Sequence, residues 1–335
     1  MLWTVDQSQR IIEIGAGYNP IAPKSKGWQT HVVDHASRND LQVKYSTAGV
    51  DTQMIEEVDT IWRSGPLHES VPPALLGKID SIIASHVLEH IPDLIGFFQS
   101  ASRLVAPGGS LRLALPDRRY CFDCFKPWTT TGDLLDAQYR GLTRHSLKTA
   151  FDHVAYSAAV DGKPAWGPHA ISVPVLTSPF QLAAQTVTSF RDSVDQPYQD
   201  YHCWQFSPAG FELAILELGE LQLTDWRVEK LEGPENFEFF AVLRKGGASL
   251  FDQEGLQVER RRLLVLQLKE AREQIDFIIG TGKRAPAPTD DRYQELADAL
   301  AEQNNRLRDM AETLAWLRAV LSPIRRVWRT LRGLR

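Results

Sequence analysis

Short apolar runs alternate with helical stretches over residues 10–117. Ile11–Ile14 and His31–Asp34 read as the first two strands, Val58–Trp62 as a weaker third, Ile79–Ser85 as a fourth and Ser110–Leu115 as a fifth. The helical pattern is clearest at Leu94–Val105, where Leu94, Phe97, Phe98, Ala101, Leu104 and Val105 make one apolar face. Pro107-Gly108-Gly109 ends that helix and turns the chain into the fifth strand. Strands alternating with helices predict a parallel sheet with both faces covered.

The rhythm breaks over residues 118–205, which are rich in Pro, Gly, Trp, Tyr and His. So long a stretch is not plain loop in a compact domain, and it reads as a cap inserted over the carboxyl edge of the sheet. Order returns at Ser207-Pro208, an N-cap followed by proline at the first helical position; the helix carries Phe211, Leu213, Ala214 and Leu218 and ends at Gly219. Leu221–Val228 and Phe237–Leu243 read as two closing strands, separated by Gly233-Pro234-Glu235-Asn236. The domain therefore spans residues 1–245.

From residue 249 to 322 the chain is charged and helical, with a break at residues 280–288 that holds two glycines and two prolines. Before the break, Leu264, Leu268, Ala271, Ile275 and Ile278 follow a 4-3-4-3 spacing. After it, Leu296, Leu300, Gln303, Leu307, Met310, Leu314, Leu317 and Leu321 continue in alternating steps of four and three. This is a coiled-coil seam with one polar core position, and it predicts a homo-oligomer; the alternative is an amphipathic helix packed on the chain's own domain. Residues 323–335 form a basic amphipathic tail, with Ile324, Val327, Trp328 and Leu331 on one face. Arg325–Arg335 holds five arginines and no acid, a composition suited to an anionic membrane surface.

Composition narrows the function. The 335 residues are 43% hydrophobic, enough for a large core plus an appendage. A net charge of −5 argues against nucleic acid as a partner. Three cysteines, Cys121, Cys124 and Cys203, are sparse and odd in number, which fits a reducing compartment. Cys121 and Cys124 have the Cys-x-x-Cys spacing, but no second pair accompanies them; they read as small packed side chains, and no metal site is expected. No apolar run is long enough to span a bilayer, and the first strand begins too early to leave room for a signal peptide. The expected location is the cytoplasm, with peripheral contact at the inner face of the cell membrane.

The strongest chemical signal is Ile11-Ile12-Glu13-Ile14-Gly15-Ala16-Gly17, followed by Asp34 after the second apolar run. Glycines at a strand end let backbone approach a ligand, and an acid about one βαβ unit later accepts hydrogen bonds from ribose hydroxyls. A dinucleotide fingerprint would place a third glycine where Pro20 stands.

These residues, with Asp80–His90 (Asp-Ser-Ile-Ile-Ala-Ser-His-Val-Leu-Glu-His) and Leu104–Gly109, resemble a class I S-adenosylmethionine-dependent methyltransferase. Pro116–Asp123 and His202-Cys203-Trp204 look like bacterial methyltransferases found with glycosyltransferases and surface-polysaccharide genes. The resemblance implies a Rossmann-like α/β fold with a seven-stranded sheet. It implies S-adenosylmethionine bound by Gly15 and Gly17, by Glu13 at the turn or through water, and by Asp34 on the ribose, with Asp59 near adenine and Ser85 and His86 at the end of the fourth strand. Glu89 and His90 follow one turn later, and His90 reads as structural.

Methyl transfer requires alignment of donor and acceptor, and a hydroxyl acceptor also needs a base. The candidates are Asp117, His153 and His202, with Tyr120, Asp123 and Asp152 behind them. The aromatic set Trp166, Tyr198, Tyr201, Trp204 and Phe206 suits stacking on a sugar ring. The sequence therefore predicts O-methylation of a sugar, glycan or other small-molecule acceptor. A lipid-linked or quinone-like acceptor is one alternative, and an inactive coiled-coil scaffold is another.

Overall fold

The computed structural model describes residues 5–192, 199–246 and 251–280. The second heptad segment, Leu296–Leu321, the tail Arg325–Arg335 and Tyr198 lie outside the described residues.

The first strand, β1 (Arg10–Ile14), is followed by β2 (Gln29–Asp34), α1 (Arg38–Tyr45), β3 (Thr60–Ile61), α2 (Leu67–Ser70), β4 (Ile79–Ser85), α3 (Leu94–Leu104) and β5 (Val105–Pro116). The cap then contributes α4 (Thr131–Tyr139), α5 (Leu147–Ala155), the short pair β6 (Ala158–Ala159) and β7 (Val175–Leu176), and α6 (Phe180–Asp192). The chain returns through α7 (Pro208–Glu220), β8 (Trp226–Glu235), β9 (Glu238–Lys245) and α8 (Gln253–Ile279).

Seven strands form one sheet in the order β3-β2-β1-β4-β5-β9-β8. The pairings from β3 through β5 are parallel, whereas β9 is antiparallel to both β5 and β8. The order reverses between β1 and β4, so the carboxyl ends of these two strands frame the crevice where open α/β sheets bind ligands. The central strands are buried on both faces; Ile12, Val33, Ile82 and Ile83 are fully covered. That is why they read as continuous apolar runs rather than alternating ones.

Helix α3 forms because Asp93 caps it, accepting from Gly96 N at 2.9 Å, and because Leu94, Phe97, Phe98, Ala101 and Leu104 bury one stripe. The chain passes from α3 straight into β5, which already includes Pro107-Gly108-Gly109. Strand β5 thus starts at Val105 rather than Ser110, and two further boundaries differ from the sequence expectation. The third strand is only two residues long. In the closing hairpin, β8 starts at Trp226 rather than Leu221 and runs through Gly233-Pro234. The turn is Asn236-Phe237, with Asn236 at φ 55°.

The region expected as the first part of a coiled coil behaves differently. Met1–Ile279 form one compact unit that includes α8, and the boundary falls at Gly280 rather than near residue 249. Leu263, Gln274 and Phe277 are the residues α8 buries. Phe277 packs on Trp166, with ring centroids 6.5 Å apart, and Arg119 Nη1 reaches Glu273 Oε2 at 2.8 Å. The expected seam positions Leu264, Leu268 and Ile275 are 44%, 70% and 52% exposed, so the alternative of a helix packed on its own domain describes α8. None of the described helices is long and apolar enough to cross a membrane.

Candidate functional site

The glycine turn stands at the carboxyl end of β1. Gly15 has φ +66° and Gly17 φ +50°, conformations that strain any residue with a Cβ. A Cβ on Gly15 would also lie 2.7 Å from Val87 Cγ2, in the loop after β4. Glu13 is 2% exposed, and its two oxygens accept the amides of Ile21 (2.6 Å) and Ala22 (2.9 Å). Burial raises its pKa and these two bonds oppose the rise. Its carboxylate therefore fixes the loop that follows the turn.

Asp34 ends β2 and is 5% exposed. Its Oδ1 accepts the His35 amide at 2.7 Å and lies 2.7 Å from His35 Nδ1, while Oδ2 accepts no hydrogen bond among the described residues. A nearly buried carboxylate with one free oxygen, beside two left-handed glycines, fits the ribose and amino-acid portions of a nucleoside ligand.

Asp59 is not brought to this edge. It precedes β3, level with Val32, and its Oδ2 accepts Val32 N (2.7 Å) and Lys24 Nζ (2.8 Å). The edge there is formed by Ile61, 41% exposed, and by Trp62, whose ring stacks on Phe97 at 6.2 Å and whose Nε1 donates to Gly65 O.

Ser85 is the last residue of β4 and His86 the first beyond it, at φ 52°. His86 Nε2 is 2.7 Å from Glu238 Oε2, and its Nδ1 is 3.4 Å from Glu89 Oε1. Burial alone would lower the His86 pKa, but the two carboxylates override it and raise it to about 10, so this ring is an imidazolium. Glu238 reaches it because β9 runs antiparallel to β5 and pairs Glu238 with Pro116, at the end of β5 beside the end of β4.

The cap is stapled across the loop after β4. Cys203 N donates to Glu89 O at 2.6 Å, Trp204 Nε1 to Ile91 O at 2.7 Å, and His145 Nε2 to His90 O at 3.0 Å. This brings His202 over Glu89. His202 Nδ1 is 2.5 Å from Asp123 Oδ2, and Lys126 Nζ is 2.6 Å from Asp123 Oδ1. Burial works against the Asp123 charge, yet His202 and Lys126 hold its pKa well below the usual carboxylate range. His153 lies alongside, its ring 5.0 Å from Tyr201 and 6.2 Å from His202. Burial pulls its pKa down to about 3, which keeps it neutral. His90 is likewise pulled by burial to about 4.

His153 and His202 are thus brought together, and His202 and His86 flank Glu89, but Asp117 does not join them. Its buried carboxylate is gripped by Arg119, with Nε at 2.9 Å on Oδ1 and Nη2 at 2.6 Å on Oδ2. Through Arg119 and Glu273 it ties the end of β5 to α8. A carboxylate held bidentate by arginine and sealed from solvent is a poor proton acceptor. Cys121 and Cys124 are buried and free, and burial pushes the Cys124 thiol up to about 12. They are packing residues.

Sequence reasoning passed over Glu89 and Glu238. The signal for Glu238 was its place at the start of a strand whose register lays it beside the end of β5. For Glu89 there was none beyond its position in Val87-Leu88-Glu89-His90.

Residues 2–162 match the sequence model of a family described as a methyltransferase domain. Among solved structures, a candidate S-adenosylmethionine-dependent methyltransferase from Listeria monocytogenes shares 9% identity at a TM-score of 0.36, covering 72% of this chain and 94% of its own. An S-adenosylmethionine-dependent methyltransferase from Mesorhizobium loti shares 12% at 0.35, with the same coverage. A candidate zinc-dependent alcohol dehydrogenase from Rhodobacter sphaeroides shares 11% at 0.40, covering 73% of this chain and 88% of its own. No curated protein matches the sequence.

Proposed function

We propose that this chain, an S-adenosylmethionine-dependent methyltransferase, methylates a hydroxyl group of a sugar, glycan or other small molecule. When bound, the cofactor supplies an electrophilic methyl group on a sulfonium sulphur. Gly15 and Gly17 admit its amino-acid and ribose portions against backbone, and Asp34 takes the ribose hydroxyls. The rest of the work belongs to the acceptor side.

The observation that carries the hydroxyl reading is the His202–Asp123 pair beside the end of β4. A hydroxyl must lose its proton as its oxygen becomes an ether, so a positioned acceptor of that proton accelerates transfer. His202 Nδ1–H donates to Asp123 Oδ2, so in the neutral ring the lone pair stands on Nε2. His202 is 8% exposed, so that lone pair acts where water is largely excluded. A cleft lined by Trp128, His145, Lys148, Cys203, Trp204 and Gln205 begins at the residue after His202 and offers aromatic and hydrogen-bonding surface to a sugar ring.

The test is transfer of a labelled methyl group from S-adenosylmethionine to a panel of mono- and oligosaccharides, with the product located by mass and NMR. A methyl ether is expected, and His202→Ala is expected to lower kcat by about 10²–10⁴-fold while S-adenosylmethionine affinity is kept. A product methylated on nitrogen, carbon or sulphur overturns the reading, as does undiminished turnover in His202→Ala.

A further inference from the structure

Glu89 is an unusual carboxylate. It is 2% exposed, and neither of its oxygens has a hydrogen-bond partner in the described structure. His86 Nδ1 stands 3.4 Å from Oε1, near enough to balance charge but without the alignment of a hydrogen bond. A buried carboxylate left this way costs several kcal/mol in general unless something satisfies it.

Two imidazoles face the same oxygen. His90 Nε2 and His202 Nε2 each lie 4.0 Å from Glu89 Oε1, and the three donor atoms fall within 4.8 Å of one another. Each imidazole has its other nitrogen committed. His90 Nδ1 is 3.2 Å from Tyr201 O, and His202 Nδ1 is 2.5 Å from Asp123 Oδ2. A carbonyl and a carboxylate can only accept from these nitrogens, so in the neutral rings the lone pairs stand on the two Nε2 atoms. An imidazole whose outer nitrogen donates to a carbonyl or carboxylate is the arrangement of a metal-binding histidine.

We infer that Glu89, His90 and His202 form a site for one divalent transition-metal ion, zinc, manganese or iron(II), with coordination positions left open. Two histidines and one carboxylate suit these ions. Separations of 4.0 Å exceed those in a closed site, where bonds are about 2.0–2.2 Å, so the ligands move inward by a few tenths of an ångström on binding. The ion satisfies the orphaned Glu89 oxygens, which nothing else among the described residues does. His86 and Asp123 do not ligate it. The first balances Glu89, and the second orients His202.

The ion's role in catalysis rests on the hydroxyl reading above, whereas its binding does not. An acceptor hydroxyl at an open position would be made more acidic by the ion and would release its proton to water. With the ion bound, His202 Nε2 would be a ligand, so the direct proton-acceptor role described above belongs to the ion-free site.

The full chain, stripped with a chelator and dialysed, is titrated with Zn²⁺ and then with Co²⁺, with no acceptor present. One equivalent is expected to bind. Glu89→Gln and His202→Ala are expected to abolish binding, and Asp123→Asn to weaken it by roughly 10–100-fold. His169→Ala, remote from the cluster, is expected to bind as wild type does. S-adenosylmethionine binding by each variant reports that its fold is kept. On the wild type alone, bound Co²⁺ is expected to show visible bands without a thiolate charge-transfer band. No stoichiometric ion, an ion retained by Glu89→Gln, or a thiolate band that places the metal on Cys121 or Cys124 overturns the site. Metal binding together with a product methylated on nitrogen, carbon or sulphur would reject the hydroxyl reading and leave the site standing.

Discussion

Gly15 meets two constraints at once. Its φ of +66° strains a side chain, and the neighbouring loop leaves no room for one, with Val87 Cγ2 at 2.7 Å from a built Cβ. Gly108 shares the first constraint, with φ +74°, but nothing lies within 4 Å of its Cβ position. Both alanine substitutions should therefore cost about 1–3 kcal/mol through backbone strain. Only Gly15→Ala should also weaken S-adenosylmethionine, because its methyl group displaces the loop that carries His86. Melting temperature and ligand titration of the two variants check this, and equal ligand affinity in both would contradict it. The turn was legible in sequence because strand, glycines and Asp34 are close along the chain and each has a local meaning. The cluster of Glu89, His90, Asp123, His153 and His202 was not. Its members are brought together by the cap contacts from Cys203 to Glu89 and from Trp204 to Ile91, which no local pattern encodes. Asp117 misled because a carboxylate at a strand end resembles a catalytic group until its arginine is seen.

At the scale of elements, α8 shows how far periodicity carries. Its 4-3 spacing marks an apolar face correctly, yet the helix docks through another face, using Leu263, Gln274 and Phe277. Arg118 explains part of the choice. It enters the small cluster around Cys124, where its guanidinium meets Gln274 Oε1 and Cys124 O and lies 4.2 Å from the Trp128 ring. A buried guanidinium needs such partners, and α8 supplies one. Two apolar faces on one helix leave the sequence unable to say which is covered by its own domain. Phe277→Ala should destabilise the domain by about 3 kcal/mol, seen as a lower melting temperature, whereas Leu268→Ala on the exposed face should change it little. The reverse order would mean that α8 docks through its heptad face. The central strands were read correctly because burial on both faces leaves an unbroken apolar run. The short β3 and the start of β8 were not, since two paired residues and a shifted hairpin have no pattern of their own.

For the whole molecule, the domain through Ile279 is compact without the residues that follow. Self-association is proposed to rest on the heptad segment Leu296–Leu321, whose apolar steps match a coiled-coil seam. Sedimentation of the full chain beside a chain ending at residue 280 tests this. The full chain should be oligomeric and the shorter one monomeric, and the same mass state for both would remove the coil from the account. The carboxyl edge of the sheet is the proposed working surface. There the glycine turn and Asp34 stand on one side, with the histidine cluster and the capped cleft on the other.

That arrangement depends on S-adenosylmethionine sitting against Gly15, Gly17 and Asp34. Calorimetric titration of the full chain with S-adenosylmethionine tests it most directly. Saturable binding at one site per chain, weakened at least about tenfold by loss of the ribose contacts in Asp34→Ala, is the predicted result. No binding by the wild type, or equal affinity in Asp34→Ala, would contradict it.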